Sequence, residues 1–107
     1  MKTHYHRRIL ALSPLAAGRL ASARASAVSA REQAEEALAR GEEVVFDFSG
    51  IEATQSFVDE LVGYLLLRDG PELLKRIVFK SCSDDTRAIV EFVAADRADQ
   101  YLKSHSH

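Results

Sequence analysis

Apolar runs and periodic apolar stretches alternate along this chain. Residues 4–12, HYHRRILAL, predict a first strand that ends near Pro14. Residues 13–28 are rich in Ala and Ser, contain Gly18 and show no clean period. They read as a loop, with room for one helical turn after Pro14, a residue suited to a first helical position. Ser29 and Glu32 have the spacing of a capping box, which predicts a helix start at Ser29. Ala30, Ala34, Ala37 and Leu38 then form a narrow apolar stripe whose small side chains permit close packing on a sheet. Gly41 stands where a left-handed residue closes a helix.

The run VVFDF, residues 44–48, has almost no polar alternation, which predicts a central strand buried on both faces. Ser49 and Gly50 begin its exit loop. A second helix is expected from about Ser56 to Arg68, stopping at Gly70-Pro71. A third strand is expected at 76–80. Ser83, Asp84 and Asp85 open a third helix, with acids at its N-terminus as the helix dipole favours. Its core face is expected to be Ile89, Phe92 and Val93, and the pattern weakens after Ala95. The order predicts a small α/β single domain over residues 1–107, β-α-β-α-β-α, with a parallel or mixed sheet. Within it, 1–28 would be a basic strand and loop, 29–95 the core, and 104–107 a frayed tail.

A chain of 107 residues is long enough to bury roughly two-thirds of its unfolded surface, so it needs no metal or disulfide staple. Its one cysteine, Cys82, cannot form an internal disulfide, and a cytoplasmic setting is the natural expectation. Charge is unevenly spread. No acid precedes Glu32, whereas Lys2, Arg7, Arg8, Arg19, Arg24 and Arg31 all do. A basic arm on an acidic body can steer an anionic partner, though a solvated surface strand and loop explains it more simply. Only Tyr5 is interleaved with these bases, so nucleic-acid binding is not expected. MKTHYHRR followed by ILALSPLAA mimics a targeting signal, but Ser13 and Pro14 break its short apolar run. No stretch approaches the ~20 apolar residues of a membrane span.

Candidate chemistry centres on residues 47–60. Ser56 is either a helix cap for the N–H of Asp59 or a phosphorylation site, and on physical grounds the cap is preferred. Asp47, Asp59 and Glu60 lack a companion His, Cys or Lys in the segment, so solvated charge is the simpler reading than acid–base work. Cys82 is opposed by Asp84 and Asp85 as a thiolate and reads as a half-buried structural residue. The pairs His4/His6 and His105/His107 have strand-like metal spacing but sit at opposite termini. The phosphate-binding, dinucleotide-binding and nucleophile-elbow motifs and the Cys-x-x-Cys pair are all missing from the sequence. The expectation is a binding or regulatory module without cofactor or metal, not an enzyme. The second helix carries Phe57, Val58, Leu61, Val62, Tyr64, Leu65, Leu66 and Leu67, more apolar circumference than a one-sided helix needs. Either the C-terminal tail covers the excess or a partner does. Gly63 inside this helix predicts a close contact.

The stretch VVFDFSGIEATQSFVDELVGYL resembles a bacterial STAS-like family of unknown function. That family's hallmark is a strand ending D-F-x-G-[VI], a short loop, and S-F-x-D-E. The upstream SAREQAEEAL resembles its Ser-Arg helix start. Behind it stand the better-known STAS domains of anti-sigma factor antagonists. The resemblance places Ser56 on the serine that a partner kinase of the histidine-kinase-like ATPase fold phosphorylates there. It implies partner switching, with helix two and the loop 49–55 as docking surface. The implied partner-facing positions are Ser49, Gly50, Gln55, Phe57, Asp59, Glu60, Gly63 and Leu67. Gln55 stands where the antagonists have Asp, and Phe57 where they have a small residue that does not crowd the acceptor. The alternative is a constitutive structural or ligand-sensing subunit in which Ser56 is only a cap. Partner identity, regulated process and oligomeric state are not encoded in any motif.

Overall fold

The computed structural model describes residues 6–12, 20–21 and 24–105. In chain order these form β1 (Arg7–Ala11), β2 (Leu20–Ala21), α1 (Arg24–Ala39), β3 (Glu43–Asp47) and β4 (Glu52–Ala53). A second helix follows in three pieces: α2 (Gln55–Val58), a π-helical segment (Asp59–Gly63) and α3 (Tyr64–Asp69). A 3-10 turn (Pro71–Arg76), β5 (Ile77–Lys80) and α4 (Asp84–Ser104) complete the fold. The small α/β architecture expected from the sequence is the one observed.

The main sheet has the order β1-β3-β5, and both of its pairings are parallel. Parallel neighbours need a crossover. Here α1 crosses from β1 to β3, and the second helix crosses from β3 to β5. Leu10, Phe46 and Phe79 are in register, as are Arg8, Val44 and Ile77. Leu10, Val44, Phe46 and Ile77 join the core with Phe48, Phe57, Val58, Leu61, Val62, Leu65 and Leu66. Val45 is also buried, so the central strand is covered on both faces as its apolar run implies. Its register partners Ile9 and Val78, on the outer strands, are exposed.

Two boundaries and one helix face differ from the sequence reading. Helix α1 begins at Arg24, five residues before Ser29, so Ser29 is an exposed interior residue rather than a cap. Buried Ala27 extends the stripe of Ala30, Ala34 and Ala37 by one turn, and that packing carries the helix into the Ala/Ser-rich segment. The remainder of the expected 13–28 loop, residues 13–19 and 22–23, lies outside the described residues. Helix α4 runs unbroken to Ser104, and the His105 N–H bonds the Tyr101 carbonyl at 3.1 Å. Ser104 is thus still helical, and residues 106–107 of the expected tail lie outside the described residues. On α4 the buried face is Thr86, Val90 and Val93, while Phe92 is 57% exposed. Position 92 is one helical step from Val93 and falls off the buried stripe.

The expected stops are present. Gly41 (φ 81°) closes α1, with its N–H on the Leu38 carbonyl and the Glu42 N–H on the Ala37 carbonyl, both at 3.0 Å. Ser83 caps α4 by accepting the Thr86 N–H at 3.1 Å. Its hydroxyl also donates to Glu52 at 2.7 Å, tying α4 to β4.

Candidate functional site

Asp47 ends β3, and its carboxylate accepts both the Ser49 N–H (2.9 Å) and the Ser49 hydroxyl (2.6 Å). These two bonds, helped by Lys80, hold the Asp47 carboxyl below its ordinary pKa. The chain then turns at Gly50 (φ 77°) and enters the second helix through Thr54.

Thr54, not Ser56, is the N-cap: its hydroxyl accepts the Phe57 N–H at 3.1 Å. Ser56 is the second helical residue and is exposed. Phe57 is 1% exposed in the core, so its ring lies away from the surface that Ser56 occupies and is no part of an exposed docking face. Much of the excess apolar surface of this helix is also buried within the fold: Leu65 and Leu66 are in the core, and α3 packs against α4. Leu67 is half-buried and Tyr64 is exposed.

Asp59 and Glu60 point to different neighbours. Arg97 of α4 grips Asp59 with two hydrogen bonds, Nε to Oδ1 and Nη2 to Oδ2, both 2.7 Å. That pairing raises the Arg97 pKa above its ordinary value. Gly63 is buried beneath this pair and cannot meet a partner, and a Cβ there would collide with the Asp59 carboxylate. The close contact expected at Gly63 is therefore with its own helix.

Glu60 lies between two arginines of α1. Arg24 Nε is 3.3 Å from Oε2 and Arg31 Nη1 is 3.5 Å from Oε1. The π-helical segment explains a further bond. The Tyr64 N–H bonds the Asp59 carbonyl, five residues back rather than four. The Glu60 carbonyl, which Tyr64 would serve in an α-helix, instead receives Arg31 Nη1 at 2.7 Å. The Arg31 guanidinium also lies 5.1 Å from the centre of the Tyr64 ring. Arg31 thus satisfies the carbonyl that the widened turn releases.

A cleft runs along this seam. One hollow of about 310 Å³ is lined by Arg24, Ser56, Asp59, Glu60 and Tyr64. It shares Arg24, Glu60 and Tyr64 with a second hollow of about 390 Å³ that reaches Arg31, Glu35 and Arg68. Arg68 pairs with Glu35 (2.7 Å) and Asp69 (3.0 Å).

The sequence-derived candidates are not all brought together. Ser56, Asp59 and Glu60 line the seam cleft. Gly50 lines a different hollow of about 380 Å³, with Glu52, Ser81 and Ser83 among its other walls. Ser49 and Gln55 are exposed and Leu67 is half-buried. Cys82 is half-buried, and burial pushes its thiol up, with Arg87 opposing the shift. Sequence reasoning placed Arg24 and Arg31 only in a basic arm and Tyr64 only in an apolar set, and assigned no role to Arg97. Arg97 stands 38 residues from Asp59, beyond any local spacing rule. Arg31 does lie within the quoted SAREQAEEAL, which was the available signal.

The fold is a small α/β domain with a parallel three-stranded sheet and crossover helices. The family model described as the STAS-like domain of unknown function (DUF4325) matches residues 27–87, and the chain belongs to that family. No curated protein and no solved structure matches it significantly. No helix among the described residues is long and apolar enough to cross a membrane.

Proposed function

We propose that this chain is a non-catalytic, cytoplasmic protein-interaction module that works by partner switching, as anti-sigma factor antagonists do. Ser56 is its phospho-acceptor and the partner is a serine kinase of the histidine-kinase-like ATPase fold. The observation that carries this reading is the freedom of Ser56. It is exposed on the rim of a cleft, while Thr54 does the capping and Phe57 is withdrawn into the core. Neighbouring acids would repel a phosphate. Here Asp59 is neutralised by Arg97 and Glu60 by Arg31 and Arg24. Gln55, Ser56 and the exposed rim of the second helix form the docking face.

The test is capture from native lysate with and without ATP, using wild type and Ser56→Asp, read by mass spectrometry. Recovery of an ATP-dependent kinase by wild type alone, with phosphate on Ser56, is the expected result. Equal capture of a partner by both forms, with no phosphate, replaces this reading with a constitutive binding subunit.

A further inference from the structure

The three arginines of the seam cleft are not equally committed. Arg31 is 20% exposed and is held by the Glu60 carbonyl and the Tyr64 ring. Arg68 already holds two carboxylates. Arg24 is 77% exposed, and its one ion pair among the described residues is to Glu60 Oε2 at 3.3 Å. Glu60 keeps a second guanidinium when Arg24 leaves, Arg31 at 3.5 Å from Oε1, an atom that is buried and accepts no hydrogen bond among the described residues. Asp59 is held by Arg97, while Glu60 faces both Arg24 and Arg31. Ser56 and Arg24 line the same hollow, so an exposed guanidinium lies beside the serine.

We propose that Arg24 is the residue that receives a phosphate on Ser56, leaving Glu60 to Arg31 as it does so. The inference rests on the reading of Ser56 as a phospho-acceptor and adds the group that senses the modification. Arg24 itself is exposed and flexible enough to change partner, while the largely buried Glu60 keeps Arg31 nearby. A phosphate offers about two negative charges and several acceptor oxygens where Glu60 offers one charge, and guanidinium favours it. Arg24 is the first residue of α1. The exchange would therefore join the start of α1 to the start of the second helix, changing the charge and shape of the docking face together.

Phosphoserine inserted at position 56 during translation tests this without a kinase. The second ionisation of the phosphate, ordinarily near pKa ~6, is followed by phosphorus NMR. The groups facing it are Arg24, Arg31, Asp59, Glu60, Tyr64 and Arg97. Wild type should titrate about half a unit to one unit lower than an unstructured phosphoserine peptide. Arg24→Gln should abolish that shift, Arg24→Lys should keep most of it, and Arg68→Gln should leave it intact. Identical titrations in wild type and Arg24→Gln overturn the proposal, as does a shift that Arg68→Gln removes. Failure of the switch itself reads differently. If the Arg24-dependent shift is present but cells place no phosphate on Ser56, Arg24 stands as a phosphate receptor and partner switching falls.

Discussion

The two sides of the second helix are held by different physics. One side sets Phe57, Val58, Leu61, Val62, Leu65 and Leu66 into the core. The other carries Ser56, Glu60, Tyr64 and Arg68 along a seam with Arg24, Arg31 and Glu35 of α1. Apolar burial is non-directional and tolerant of small shifts. Charged hydrogen bonds are directional and can be exchanged for others of the same kind. The first side therefore holds the helix in place, and the second sets its register while remaining open to change. The π-helical turn lies where the two meet: it releases one carbonyl, and Arg31 occupies it.

Removing the apolar anchor should have the largest effect. Phe57→Ala is expected to cost ~3–5 kcal/mol of stability in urea unfolding. A loss under ~1 kcal/mol would mean that the apolar side is not what fixes the helix. On the charged side, Arg31→Met strips the donor from the Glu60 carbonyl and an ion pair from the Glu60 carboxylate, with an expected cost of ~1.5–3 kcal/mol. The accompanying change in amide exchange should centre on residues 59–64.

Gly63→Ala tests how the sides touch. Alanine favours a helix by ~1 kcal/mol over glycine, yet the new methyl collides with the Asp59 carboxylate. Net destabilisation of ~1–3 kcal/mol is expected from the overpacking. In an Asp59→Ala background the same substitution should become stabilising, and a matching loss in both backgrounds would contradict the geometry. Smaller still is the contrast at the helix start. Thr54→Ala should cost ~0.5–2 kcal/mol as a lost cap, while Ser56→Ala stays within ~0.5 kcal/mol. Reversed values would return the cap to Ser56.

The smallest effect concerns Asp47, whose pKa is lower folded than its ordinary 3.8. Its stabilising contribution is complete above the unfolded value and is lost as pH falls from there through the folded value. The stability difference between wild type and Asp47→Asn should thus be flat near neutrality and shrink in acid below about pH 4. A difference that grows on acidification would reverse the sign.

Local chemistry was legible in the sequence. The apolar run 44–48, the glycine stop at Gly41 and the Ser83 cap each act over a few residues, and each is observed close to where it was expected. So was the parallel α/β order, because alternating strand and helix patterns leave few ways to bury their apolar faces. Errors arose where two local solutions competed. Ser29 and Ser56 both looked like caps, but buried Ala27 carried α1 past the first and Thr54 pre-empted the second. Phe92 was grouped with Ile89 and Val93 as one core face, yet the buried stripe of α4 passes through Val90 and Val93.

The chain by itself thus determined the element types, their order, the buried central strand and an isolated serine at the head of an apolar helix. Tertiary structure alone decided that Thr54, not this serine, caps the helix and that the serine is exposed. It also decided that Asp59 and Glu60 are claimed by arginines from opposite ends of the sequence. The reason is separation. Capping and periodicity act within a turn or two and leave local signals, whereas Asp59 and Arg97 meet only once α4 has folded back onto the second helix.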